Sequence, residues 1–258
     1  MNIITYGTDP RLSFCCELLL ECACPYDRNI VLLPIPTTRD GVGICGTELT
    51  FDAIYPNLNS GDMVVGYELP RSVREALSQR GILIADLGRD EEFLSPNAAL
   101  TSDGTVGRIL TESRRAPSDL KIGIIGYGRI GERLLNLLAF LGASVVVFTS
   151  KKEVREELGM LSVQCMDTGS FDSEDGLAVL SSLDILINTA PVPLIPDSVC
   201  QVLRDKRVIE LASGSNIPDG ISYERFPSVP ARMYPASAGY VLGRAVIRML
   251  GTMDEKCI

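Results

Sequence analysis

The sequence predicts an α/β fold of two Rossmann-like domains, each built on a parallel sheet, and three observations carry that prediction. Short β-branched runs alternate with helical patterns along the whole chain, the spacing of βαβ units whose sheets are covered on both faces. A polar stretch, Arg114-Arg115-Ala116-Pro117-Ser118, stands between a helical pattern and the strongest strand. It divides the chain into domains at 1–117 and 118–258. Just beyond it, a glycine-rich turn sits where a nucleotide-binding strand would feed its helix.

In the first domain, strands are expected over residues 2–6, 30–33, 63–66 and 82–86, from compact apolar runs bounded by turn residues. Helices are expected over 11–21, 72–79 and 104–113, where apolar residues recur three and four apart. The second domain continues with strands over 121–125, 144–148, 163–166, 185–188, 208–211 and 232–234. Its helices fall over 129–141, 152–158, 175–180, 197–203 and 237–250, the last expected to pack back on the first domain.

Composition narrows the function classes. With 46% hydrophobic and 22% charged residues, the 258-residue chain has ample apolar material for packed cores. Lys and Arg number 24 against 33 Asp and Glu, a formal charge of −9. That balance argues against nucleic acid and against an anionic membrane surface, which both select clustered positive charge. There is no histidine. Its absence removes Ser-His-Asp and Cys-His triads and His-containing zinc sites, so any acid–base step falls to Asp, Glu, Lys, Tyr or Cys.

The start, MNIITYGTDP, has no basic segment followed by an apolar stretch, and the apolar run 134–148 is interrupted by Asn136 and Gly142, short of a membrane span. Cys257 is next to last, so the end is no prenylation box. A reduced, cytoplasmic protein without metal is expected. Cys15, Cys16, Cys22 and Cys24 lack paired CxxC spacing, and Cys15, Leu18, Leu19 and Cys22 follow a helical stripe, which reads as core.

The sharpest motif follows the strand at 121–125, which runs straight into Gly126-Tyr127-Gly128-Arg129-Ile130-Gly131. In a Rossmann unit Gly126 makes the tight turn, Gly128 admits a pyrophosphate to the backbone, and Gly131 allows close helix–strand packing. The phosphates then lie at the helix N-terminus beside Arg129 and Ile130. The alternative is a tight turn using glycine for geometry alone. At the end of the next strand stand Thr149-Ser150-Lys151-Lys152, with no carboxylate before Glu153. NAD-binding units place Asp or Glu there for the ribose hydroxyl, whereas hydroxyls and lysines accept a 2′-phosphate. NADP is therefore favoured, with NAD the alternative; Ser150 as a helix cap beside solvated lysines is the plain reading. Asn188, Thr189 and Ala190, and Ser213, close two later strands at the edge where ligands of open sheets bind. They read equally as turn residues.

Several segments then match a known family in order along nearly the whole chain. They are Gly7-Thr8-Asp9-Pro10-Arg11, Leu33-Pro34 through Thr37-Thr38-Arg39-Asp40-Gly41, Asn97 through Thr101 to Asp103-Gly104-Thr105, and the glycine turn. Asn188-Thr189-Ala190-Pro191, Leu211-Ala212-Ser213 and Pro235-Ala236-Ser237-Ala238-Gly239 complete the set. Together they resemble the family of the oxidoreductase subunit of dipicolinate synthase, with a nucleotide domain similar to that of D-2-hydroxyacid dehydrogenases. The region between the first helix and Ile30 is abbreviated relative to that family. The His–acid pair of the D-2-hydroxyacid dehydrogenases has no counterpart, which excludes their activity.

The resemblance implies an NADP-dependent oxidoreductase that makes pyridine-2,6-dicarboxylate in endospore-forming bacteria, by oxidising a dihydrodipicolinate. Such a ring aromatises readily and needs positioning more than acid–base help. Thr37, Thr38, Arg39 and the amides around Gly41 are the candidate anion binders, a solvent-exposed polar loop being the alternative. Asn97 and Thr101 are expected at a helix start with free amides for a carboxylate, and Asp103 or water takes the proton. Implied partners are the dicarboxylate, further copies of the chain, and a second synthase subunit. A reductase of another small carboxylate, and a non-catalytic cofactor-binding scaffold, are the competing functions.

Overall fold

Four apolar runs in the first hundred residues form the parallel strands β1 (Asn2–Thr5), β2 (Asn29–Leu32), β3 (Met63–Gly66) and β4 (Leu83–Asp86), aligned side by side in that order. The computed structural model describes residues 2–22, 27–214 and 216–254. Register pairs Ile30 with Ile3 and with Met63, and Val64 with Ile84. Because side chains alternate across a strand, Ile30, Leu32, Met63 and Val65 enter one core while Val31 and Val64 enter the other. Helix α1 (Arg11–Glu21) and the late helix α10 (Pro235–Asp254) cover the first face. The short α2 (Phe51–Ile54) and α3 (Arg71–Gln79) cover the second.

The seam between α1 and α10 depends on missing side chains. A Cβ on Gly239 would stand 2.5 Å from the Phe14 Cβ and 2.6 Å from the Arg11 carbonyl oxygen. The Pro235–Gly239 motif therefore contributes close helix approach, with Tyr240 packing edge-on against Phe14 at 6.3 Å. Cys15 is wholly buried on α1 and its thiol is pushed up by burial, while Cys24 lies outside the described residues. So does half of the abbreviated region, residues 23–26.

The second sheet comprises β5 (Lys121–Ile125), β6 (Ser144–Phe148), β7 (Gln164–Met166), β8 (Ile185–Asn188), β9 (Arg207–Glu210) and β10 (Glu224–Arg225). Their order is β10-β9-β8-β5-β6-β7, all parallel. The chain starts at the centre with β5, builds outward to β7, then returns beside β5 with β8. That reversal creates the switch point where open α/β sheets bind ligands. The end of α4 (Glu91–Glu112), with α5 (Arg129–Phe140) and α6 (Lys152–Met160), covers one face through Ile109, Leu134, Leu138 and Leu158. The other is covered by α7 (Glu174–Ser182) and α8 (Cys200–Leu203), with Phe148 stacked on Phe171 at 5.0 Å. The fold class is α/β with two parallel sheets, as the sequence predicts.

Several elements differ from expectation. Residues 232–234 are not a strand: Val229–Met233 form the helix α9, whose second residue, Pro230, suits a first helical turn. The sixth strand is the polar pair Glu224–Arg225, which no hydrophobic pattern announces. Helix α4 begins thirteen residues earlier than 104, running through Pro96 where sequence reading stops a helix. Its length changes the division of the chain. One compact unit comprises Met1–Leu100 and Pro230–Ile258, the other Thr101–Val229, against a boundary read at 117/118. The crossing at 100/101 falls inside a continuous helix and so carries no linker composition; the polar stretch at 114–118 is only the turn into β5. Helix α10 belongs to the first unit.

Candidate functional site

At the end of β5 the three turn glycines differ in what requires them. Gly126 has a φ of 94°, and its amide donates to the Phe148 carbonyl at 2.9 Å. A Cβ there would meet Thr189 Oγ1 at 2.7 Å. A Cβ on Gly131 would stand 2.1 Å from the Gly126 carbonyl oxygen, so α5 can lie against the turn only without one. Gly128 is different. It is exposed, its φ of −105° suits any residue, and nothing lies within 4 Å of a Cβ. The protein's own packing does not ask for glycine at 128. The space is open at the start of α5, whose first amides lack intrahelical acceptors, with Arg129 exposed and Ile130 half-buried beside it.

Beyond β6, Thr149 is buried. Its hydroxyl accepts from the Lys151 amide at 3.3 Å, and its carbonyl accepts from Arg155 Nη1 at 2.7 Å. Arg155 also pairs with Asp167 at 2.7 Å, fixing this turn from below, a role not read from the sequence. Helix α6 takes Lys151 as its N-cap with no side-chain cap bond, so the Ser150 hydroxyl is not used for capping. Ser150 and Lys151 are exposed, and neither side chain has a partner among the described residues, whereas Lys152 pairs with Glu156.

The ends of β8 and β9 are joined internally. Asn188 is buried, its Nδ2 donating to both oxygens of Glu210 at 3.2 and 3.1 Å and to the Ala190 carbonyl at 3.2 Å. Its Oδ1 accepts from the Ala190 amide. Thr189 Oγ1 donates to the Ile125 carbonyl at 2.9 Å, bracing the glycine turn. Ser213 is exposed beside Gly214, and its carbonyl accepts from Asn216. The structure thus gathers 126–131, 149–151, 188–190 and 213 at the carboxyl edge of one sheet. Glu210, a charged residue closing an apolar strand, is the member that sequence reading passed over.

At the edge of the other sheet, Thr37 is fully buried. Its hydroxyl donates to the Pro34 carbonyl at 2.9 Å and accepts from the Tyr67 amide at 2.8 Å, tying the loops after β2 and β3. Thr38 Oγ1 donates to Asp40 and accepts from the Gly41 amide, and Asp40 accepts from the Val42 and Gly43 amides. These bonds rigidify the loop and leave Arg39 exposed, with no hydrogen bond or ion pair among the described residues. The loop is held from behind by Asp9 and Arg11, whose side chains are both buried. Arg11 donates to both Asp9 oxygens and to the Ile35 carbonyl, while Asp9 accepts from the Ile35 amide at 3.0 Å. Burial alone would raise the Asp9 carboxyl, but Arg11 and the two amides hold it below the usual range.

Asn97, Thr101 and Asp103 lie within α4, not before it, so they offer no run of free helix-start amides. Thr101 is buried. Asp103 is half-exposed and accepts from Arg133 Nε and Nη2 at 3.3 and 3.2 Å. Among the described residues no group of His, Cys, Asp and Glu could hold a metal ion, and no helix is long and apolar enough to cross a membrane.

No family model matches the chain, and no curated protein matches it. Solved structures do. A dipicolinate synthase chain from Bacillus halodurans superposes with a TM-score of 0.77 at 18% identity, over 96% of this chain and 97% of that one. Its counterpart in the dipicolinate synthase of Bacillus subtilis gives 0.79 at 18% identity, over 99% and 97%. A transhydrogenase from Sinorhizobium meliloti gives 0.65 at 17% identity, over 98% and 94%. The chain shares the fold of these oxidoreductases along nearly their whole length.

Proposed function

We propose that the chain is an NADP-dependent oxidoreductase that converts a dihydrodipicolinate-type cyclic dicarboxylate to pyridine-2,6-dicarboxylate. The observation that carries the reading is the open position at Gly128, a glycine at a strand–helix turn that the protein itself does not require. The turn sits at the switch point between β5 and β8. Gly128 and the first amides of α5 would bind the diphosphate, and the unengaged Ser150 and Lys151 the 2′-phosphate. When bound, the nicotinamide would accept a hydride from the substrate ring, whose aromatisation drives the step.

The chain's own residues orient and neutralise. Arg39, held out by the bonded loop around it, offers two parallel donors to a substrate carboxylate. Asp103, oriented by Arg133, or water takes the ring proton. Further copies of the chain and a second synthase subunit are the proposed partners. The fold shared with the dipicolinate synthase chains supports this substrate over other small carboxylates.

The test is to mix the protein with dihydrodipicolinate and NADP, with and without a candidate second subunit, and to follow formation of the reduced dinucleotide. Substrate-dependent reduction supports the reading. Tight dinucleotide binding without turnover of this or related carboxylates would make the chain a scaffold. Absence of dinucleotide binding overturns the cofactor assignment.

A further inference from the structure

We propose that Glu210 is a positioning residue of the dinucleotide edge: its buried carboxylate ties the turn after β8 to the turn after β9, and protonation releases the tie. The proposal rests on the cofactor reading above for its effect on binding, and on geometry alone for the tie.

Glu210 is 1% exposed. Its oxygens accept from Asn188 Nδ2 at 3.2 and 3.1 Å, and Oε1 accepts from the Ala212 amide at 2.9 Å. Asn188 cannot present its carbonyl instead, because Oδ1 accepts from the Ala190 amide and Nδ2 donates to the Ala190 carbonyl. The partners are therefore donors, which suits an acceptor-only carboxylate. A protonated carboxyl would bring a hydroxyl that finds no acceptor among them. The displacement would not stay local. Asn188 leads into Thr189, whose hydroxyl sits 2.7 Å from where a Cβ on Gly126 would stand, so the β8 turn abuts the glycine turn.

The groups facing Glu210 are few. From β8 comes Asn188, from the following loop Asn216, and from β10 Arg225, whose Nη2 also donates to the Gly214 carbonyl at 2.7 Å. On β9 itself, Arg207 sits at the opposite end and pairs with Glu224. Burial pushes the Glu210 carboxyl above the usual range despite the pull of Asn188, Ala212, Arg225 and Asn216. The tie is therefore lost nearer neutrality than for a surface glutamate.

The experiment follows the Asn188 side-chain amide and the Ala212 backbone amide by NMR in the free protein, from about pH 8 down to about pH 5. NADPH and NADH affinities are measured over the same range, for wild type, Glu210→Gln and Glu210→Asp. The two amide signals should titrate together, and dinucleotide affinity should fall with pH. Glu210→Gln should flatten both responses and weaken binding about tenfold, since a donor then faces donors, and Glu210→Asp should restore the pH dependence. Wild-type amides that ignore pH, or a Glu210→Gln protein with wild-type affinity and pH profile, would overturn the proposal. A wild type that binds neither dinucleotide overturns the cofactor reading instead, and the amide titration then decides the tie by itself.

Discussion

A Cβ on Gly131 would stand 2.1 Å from the Gly126 carbonyl oxygen, whereas a Cβ on Gly128, between them, would touch nothing. Two of the three glycines are therefore needed to fold the turn, and the third is free to serve a ligand. Gly131→Ala should force α5 off the turn and cost about 1–3 kcal/mol in urea unfolding. Gly128→Val should unfold within about 0.5 kcal/mol of wild type, yet lose dinucleotide binding. Calorimetric binding by a folded Gly128→Val protein would place the phosphates elsewhere.

Arg11→Met should destabilise the protein by about 3–5 kcal/mol, because it leaves the Asp9 carboxylate buried without its cation. The same pair sets an acid limit. The folded pKa of Asp9 lies below its unfolded value, so the unfolded chain takes the proton first. The stabilisation is complete above the ordinary aspartate range and is lost as pH falls through the folded value. Denaturation midpoints measured at falling pH should drop in that window for wild type and less for Asp9→Asn.

Arg39→Ala should raise the substrate KM about ten- to a hundredfold, the loss of one charge-assisted carboxylate contact. Since Arg39 makes no hydrogen bond or ion pair among the described residues, thermal stability should not change. An unchanged KM with weakened cofactor binding would reverse the roles assigned to the two sheets.

Cofactor choice rests on Ser150 and Lys151. NADPH should bind more tightly than NADH, and the gap should narrow as salt screens the 2′-phosphate. Replacing Ser150 by Asp and Lys151 by Ala together should reverse the preference. Equal affinities in wild type at low salt would remove the basis for NADP.

The glycine turn was legible because its spacing after a strand records two backbone demands, at Gly126 and Gly131, and one open position, at Gly128. So were the central strands β5 and β8, short apolar runs broken only by Lys121 at the start of one and Asn188 at the end of the other. Glu224–Arg225 was not: two charged residues carry no strand pattern, and β9 alone gives them an edge to pair with. Pro96 concealed the first part of α4, and with it the point where the chain changes units. The partner of Asp103 was hidden for another reason. Arg133 lies thirty residues on, across two helices of the second unit, and nothing local marks the pair. Glu210 gave a faint signal, an acid ending a strand of valine and isoleucine. Its bonds to the Asn188 side chain and the Ala212 amide come into view only in the fold.

The chain leaves its first unit at Leu100 and returns at Pro230. On a ribosome, residues 101–229 emerge as one uninterrupted segment and can fold as soon as β10 is made. The first unit cannot finish so early. Its sheet is synthesised first, but Leu12 and Leu19 on α1 await Leu242, Val246 and Leu250 of α10. Throughout translation of the second unit, that apolar face waits without its α10 partners. The last unit to be completed is thus the one whose strands were made first.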